Sequence, residues 1–267
     1  MDIPRDLKIF LLEIKKRLLM QMKDNIRGIY VYGSLSYGDF EESRSDVDVI
    51  VFLDARLDEK GFGILKGLYE KPQIRNSKWI SKLEMDYVSI EDMKPLKNII
   101  GTACFRGGSM VHSRIEGLSM ELSNILECGI SLYGPEPSAF IPEISETLLD
   151  EALLNKFIHI KENEPKWSKI DFWNQVFIIV QLCRIIYSVK NKTYVVSKKK
   201  ATQWCSDNIS QFSSIIDTAL KGLDNWERPI DEEIRNELPR FLRFTEKILF
   251  NRLKRNDALS DVLKGHR

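Results

Sequence analysis

The chain has 267 residues, 43% of them apolar and 30% charged, with a net charge of +1 from 40 basic and 39 acidic side chains. That length suits one large domain or two small ones. The even charge balance excludes the broad basic surface of a dedicated nucleic-acid binder, while leaving room for a local basic pocket. Four scattered cysteines and three histidines, with no Cys-x-x-Cys pair, exclude a structural zinc site and suit free thiols in a reducing compartment.

The N-terminus mixes acids with bases, has an amphipathic period and lacks a small-residue cleavage site, so it does not read as a signal peptide. Leu7, Phe10, Leu11, Ile14, Leu18 and Leu19 recur at spacings of three and four, which predicts a helix over 5–23 with one apolar face. A β-branched and aromatic run over 26–33 ends at a glycine and reads as a strand. The run 46–54 begins by alternating and becomes wholly apolar, as in a largely buried strand. A short helix is expected over 58–71. A third strand is expected over 81–90, with Leu83, Met85 and Tyr87 on one face and Glu84, Asp86 and Val88 on the other. The segment 114–129 reads as a helix stopped by a glycine. Residues 133–145 are rich in Pro and Gly and read as a linker or tight crossing. Beyond them only helical patterns occur, over 146–162, 171–190, 197–208, 209–223 and 231–254, followed by a frayed tail over 255–267. The longest apolar run, 176–183, is about half of the ~18 residues needed to span a bilayer. The expectation is a cytoplasmic α+β protein with no membrane or nucleic-acid partner. Its strand-bearing N-terminal domain covers 1–135 and its all-helical domain covers 136–267.

The chemistry concentrates in "VYGSLSYGDFEESRSDVDVIV" (31–51). Asp46 and Asp48 lie on one face of a strand, roughly 6.5–7 Å apart along it. Glu84 and Asp86 bring a second pair of carboxylates from another strand. Acids converging at adjacent strand ends repel one another unless a cation neutralises them. Hard oxygen donors suit Mg²⁺, which keeps waters and shares its remaining positions with substrate phosphates. Gly33-Ser34, where a strand enters a helix, offers close backbone approach, a hydroxyl and free N–H groups, a combination suited to phosphate. The loop is neither a G-x-x-x-x-G-K-[ST] nor a G-x-G-x-x-G loop.

These residues resemble the signature of the polymerase-β-type nucleotidyltransferase superfamily: Gly-Ser, a spacer, then Ser-Asp-x-Asp and an apolar run. Gly33, Ser34, Ser45, Asp46 and Asp48 match it. "KLEMDYVSI" resembles the third-carboxylate strand of the aminoglycoside nucleotidyltransferase branch, with Glu84 at the matching position and Asp86 as the alternative. "CRIIYSVKNKTYVVSKKKATQW" (183–204) resembles the C-terminal helical domain of the streptomycin/spectinomycin adenylyltransferases, in which an Arg on one helix and a Lys opening the next hold nucleotide phosphates. Arg184 and Lys198 match. The spacer before Asp46 is slightly long for that family, and Lys166 stands where an acid is expected.

The resemblance implies a polymerase-β-like nucleotidyltransferase domain followed by a helical substrate- and nucleotide-clamping domain. It implies transfer of AMP from ATP to a hydroxyl of a small cationic acceptor of aminoglycoside type, with release of pyrophosphate. Asp46 and Asp48 would bind two Mg²⁺ ions, and Glu84, with Asp86 as the alternative, would complete one metal site, take the proton from the acceptor hydroxyl, or both. Gly33, Ser34, Ser45, Arg184 and Lys198 would hold the nucleotide, and Asp171, Trp167 and Trp173 the acceptor. Two alternatives stay open: adenylylation of a protein partner, as in small antitoxin nucleotidyltransferases, or of a non-antibiotic metabolite. Plainer readings also stand: Lys198-Lys199-Lys200 as a solvated charge run, Arg184 as half of a structural ion pair, and the two tryptophans as core.

Overall fold

The computed structural model describes residues 3–97, 99–164, 167, 170–225 and 227–254. The chain divides into two compact units, Met1–Ile144 and Ser145–Arg267. The Pro/Gly-rich stretch 133–145 thus falls almost wholly in the first unit.

The first unit is a six-stranded sheet in the order β5-β4-β3-β2-β1-β6. Its strands are β1 (Ile26–Val31), β2 (Val47–Leu53), β3 (Leu83–Ser89), β4 (Ile99–Arg106), β5 (Ser109–Glu116) and β6 (Ile130–Tyr133). β2 and β3 run parallel, and the other neighbours are antiparallel. One sheet face carries Ile29, Val31, Val47, Val49, Val51, Leu83, Met85 and Tyr87. It buries them with Leu7, Phe10, Leu11, Ile14 and Leu18 of helix α1 (Arg5–Met22) and Leu65 and Leu68 of α3 (Glu59–Tyr69). The other face carries Tyr30, Tyr32, Ile50, Phe52 and Val88. These pack with Leu118, Leu122 and Ile125 of α5 (Leu118–Cys128). The alternation expected in the third strand is therefore present, with Glu84 and Asp86 on the α5 face. Between β1 and β2 lies the single-turn helix α2 (Ser34–Tyr37); α4 (Pro72–Arg75) follows α3.

The expected helix over 114–129 is corrected: residues up to Glu116 close a β4–β5 hairpin, and helix begins only at Leu118. Gly107 and Gly108, at φ +57° and +80°, form a two-residue turn between paired Arg106 and Ser109. Adjacent glycines supply the positive φ values that such a hairpin demands.

The second unit contains α6 (Glu146–Glu162), α7 (Phe172–Asn191), α8 (Lys198–Asn208), α9 (Ser213–Gly222) and α10 (Glu232–Leu253). Ser145, Asp171, Ser197 and Asp231 each accept the backbone N–H three residues on, which fixes four of the helix starts close to where they were expected. A short 3₁₀ turn, Ser210–Phe212, delays the start of α9. The tail 255–267 lies outside the described residues. α7 is long and apolar enough to cross a membrane by length and composition, although no continuous apolar run in it is that long. Most of it is buried in this unit, which makes it a core helix.

Asp150 of α6 is buried in the same unit. It accepts Arg252 Nε at 2.9 and 3.1 Å and the Tyr194 hydroxyl at 2.9 Å. Removing one partner of such a pair strands the other without solvent. Arg252→Ala is expected to destabilise this unit by about 3–5 kcal/mol, measured as the shift in its urea unfolding transition.

Candidate active site

The parallel register places Asp48 of β2 directly opposite Glu84 of β3, and Ile50 opposite Asp86. β2 therefore presents its second aspartate to the first acid of β3. Asp46 sits just before β2 and is exposed, Asp48 is half-buried, and Glu84 is 38% exposed. The neighbouring negative charge of Asp46 reaches Glu84. Burial is the main cause that pushes the Glu84 carboxyl above its ordinary range, Arg106 opposes it, and Asp46 and Asp86 add to the rise. A carboxyl so placed accepts a proton more readily than a solvated one.

Asp86 occupies a different setting, one step deeper and only 2% exposed. Arg106, at the end of β4, donates to both its oxygens at 3.1 and 3.3 Å, and the Tyr32 hydroxyl lies 3.4 Å away. Arg106 Nε also stands 3.5 Å from Glu84. Burial raises the Asp86 pKa to about 6, with Arg106 opposing and Glu121 of α5 adding to the rise. The ordinary value is 3.8, so the folded state binds the extra proton between about pH 4 and 6. Stability from this group is accordingly greatest at low pH and declines as pH rises through that window. Wild type is expected to lose stability relative to Asp86→Asn between pH 4 and 6, read from urea unfolding at each pH.

Gly33 links the phosphate-loop candidate to the carboxylates. It adopts φ +67°, ψ −149°, and a Cβ there would lie 2.0 Å from Asp48 Oδ2. Only a glycine lets the loop pass this close to the carboxylate. Ser34 is half-buried, and among the described residues its hydroxyl makes no hydrogen bond. The Ser45 hydroxyl accepts the Glu41 N–H at 2.9 Å and so shapes the turn that delivers Asp46.

Among the described residues no three His, Cys, Asp or Glu side chains form a ready-made metal cage. The donor set nonetheless fits Mg²⁺, which is held by one or two carboxylates together with waters and substrate phosphates. Asp48 and Glu84 stand side by side with Asp46 exposed at their edge, all three offering hard oxygen.

In the helical unit, Arg184 is half-buried on α7 and has no hydrogen-bond or ion-pair partner among the described residues. The ion-pair reading is thus without a partner there. Lys198 opens α8 and is half-buried, whereas Lys199 and Lys200 are exposed. Ser197 caps α8, and Ala201 and Trp204 pack with Tyr187 of α7, so each small or aromatic position of this motif has a structural task. Asp171 is exposed and caps α7, its Oδ1 taking both the backbone and the side-chain N–H of Asn174. Trp173 is half-buried, while Trp167 is buried with an unpaired Nε1. Lys166 lies outside the described residues.

Sequence reasoning missed Arg106 and the α5 residues Glu121 and Asn124. The signal for Arg106 was the Gly-Gly pair at 107–108, which marks a hairpin and so brings Arg106 back beside β3; Glu121 and Asn124 had no local signal.

The fold and this acidic strand pair suit a nucleotidyltransferase. Residues 11–106 match the nucleotidyltransferase domain family (NTP_transf_2), and residues 141–247 match the aminoglycoside adenylyltransferase C-terminal domain family. The chain belongs to the polymerase-β-type nucleotidyltransferase superfamily, in its aminoglycoside adenylyltransferase branch, and is an enzyme of that reaction class. A similar fold is seen in spectinomycin adenyltransferase AAD(9) from Enterococcus faecialis, solved with ATP and spectinomycin. It is 18% identical, with a TM-score of 0.67, over 92% of this chain and 99% of that one. A toxin–antitoxin structure with AMP-PNP, 17% identical over 57% of this chain and 91% of its own, has a TM-score of 0.26, too low to carry an argument. No curated protein sequence matches the chain significantly.

Proposed function

We propose that the enzyme transfers AMP from ATP to a hydroxyl of an aminoglycoside-type antibiotic, releasing pyrophosphate. The observation that carries this reading is the pairing of Asp48 with Glu84 in one register, with Asp46 beside them and the Gly33–Ser34 turn against Asp48.

Asp46, Asp48 and Glu84 are the residues that would hold Mg²⁺, two ions in the full arrangement. Bound there, the metal supplies charge stabilisation to the attacking and leaving oxygens of an in-line displacement. Ser34 would donate its hydroxyl and backbone N–H to the triphosphate. The acceptor oxygen attacks the α-phosphorus, the bond to the bridging oxygen breaks, and pyrophosphate departs. A Glu84 carboxylate oxygen takes the proton of the attacking hydroxyl. Such general-base help contributes about 10²–10⁴-fold. Arg184 and Lys198, at the positions that match the adenylyltransferase pattern, would offset triphosphate charge. Asp171 would meet a cationic group of the acceptor, and Trp167 and Trp173 a sugar.

The test is growth protection. Cells expressing the chain are challenged with spectinomycin, streptomycin and a panel of other aminoglycosides. Protection against at least one compound, lost with Asp48→Asn at equal expression, is expected. Equal sensitivity to all of them with and without the chain would overturn the antibiotic acceptor.

A further inference from the structure

We propose that Asn124, on the helix α5 packed across the sheet face, is the positioning residue that sets the Gly33–Ser34 turn for phosphate. It is 6% exposed and lies 91 residues from Gly33 in sequence. The inference rests on the reading above that this turn receives the triphosphate.

The hydrogen bonds form a closed ring, and the direction of its first bond is fixed. Gly33 N–H can only donate, and it reaches Asn124 Oδ1 at 2.5 Å. That assigns the amide: its Nδ2 must face the other way, and lies 3.2 Å from Ser36 Oγ and 3.0 Å from Cys128 Sγ. The Ser36 hydroxyl has one proton; Gly33 C=O, at 2.8 Å, is its shorter acceptor, Asn124 Oδ1 lies at 3.3 Å, and its lone pairs can accept from Asn124 Nδ2. The Ser36 N–H also reaches that carbonyl, at 3.0 Å. Gly33 is thus gripped at its N–H by α5 and at its C=O by α2.

Two consequences follow from this grip. The backbone is held at φ +67°, the conformation that lets it pass against Asp48. The Gly33 N–H is consumed inside the protein, so a phosphate meets the N–H and hydroxyl of Ser34 instead. Loss of the Asn124 acceptor frees Gly33 N–H to turn outward and lets the turn relax away from Asp48. Small misplacement of binding groups is costly, since about 1 Å can cost ~10²-fold.

The experiment titrates Mg-α,β-methylene-ATP by calorimetry into wild type, Asn124→Leu, Asn124→Ala and Cys128→Ala. Both Asn124 variants lack the acceptor, so either serves if the other folds poorly. A rise in Kd of at least about tenfold in a folded Asn124 variant, with binding stoichiometry kept near one and Cys128→Ala unchanged, supports the proposal. A purely structural loss lowers the stoichiometry through an unfolded fraction and leaves Kd alone; that result overturns it. An equal loss of affinity in Cys128→Ala overturns it too, because the effect then belongs to α5 packing. Wild type that fails to bind the nucleotide overturns the triphosphate site itself, whereas tight wild-type binding with unchanged Asn124 variants overturns only the role of Asn124.

Discussion

Replacing Asp48 with asparagine is expected to cut AMP transfer by at least about a hundredfold, the scale of losing one preorganised electrostatic partner, while making the protein slightly more stable. The two effects have one cause. Asp48 faces Glu84 across the parallel pair, Asp46 adds its charge to Glu84, and Asp86 lies one step further along the same face. Like charges at this spacing disfavour the metal-free fold. Removing one relieves that repulsion, and Tm of the metal-free protein is expected to rise by about 2–4 °C, the shift that ~1 kcal/mol produces at this size. Thermal unfolding and pyrophosphate release on the same preparation check both halves. A variant that loses activity and stability together would mark Asp48 as a packing residue.

Gly33→Ala is the second large effect and runs the opposite way in stability. The new methyl would stand 2.0 Å from Asp48 Oδ2 and 2.9 Å from its Cγ, and the backbone conformation is one that only glycine adopts without strain. The fold must either rotate the peptide or push Asp48 off Glu84. Destabilisation of roughly 1–3 kcal/mol and an activity loss of at least about a hundredfold are expected, measured by urea unfolding and steady-state turnover. Gly63 and Gly67 of α3 provide the contrast, since nothing lies within 4 Å of a Cβ at either. There alanine is expected to stabilise by about 0.5–1 kcal/mol.

The candidate-site residues readable from sequence were those placed by local structure. Gly33-Ser34 and Asp46-x-Asp48 lie within one strand–turn–strand, and the strand period alone put Glu84 and Asp86 on one face. Period could not tell those two acids apart. What separates them is burial together with Arg106, which arrives from a hairpin partner across the sheet, donates to both oxygens of the buried Asp86 and stands 3.5 Å from the more exposed Glu84. The expected helix extended too far back from α5, over the last three residues of β5, and the stretch 91–113, which holds the rest of the hairpin and Arg106, drew no assignment. Asn124 was equally hidden, because its task depends on a contact between residues 91 apart. In the helical unit, caps and apolar stripes are local signals, so the helix starts emerged close to their true positions, whereas the 3₁₀ break before α9 left no comparable mark.

The most direct measurement follows ATP labelled at the α-phosphate in the presence of Mg²⁺, with an acceptor panel of aminoglycosides and spectinomycin and with pyrophosphate read from the same tube. The account predicts label transferred to at least one acceptor, one pyrophosphate released per label transferred, and neither event with Asp48→Asn or with the metal chelated. Label retained in ATP with every acceptor, or transfer that survives in Asp48→Asn, would contradict it.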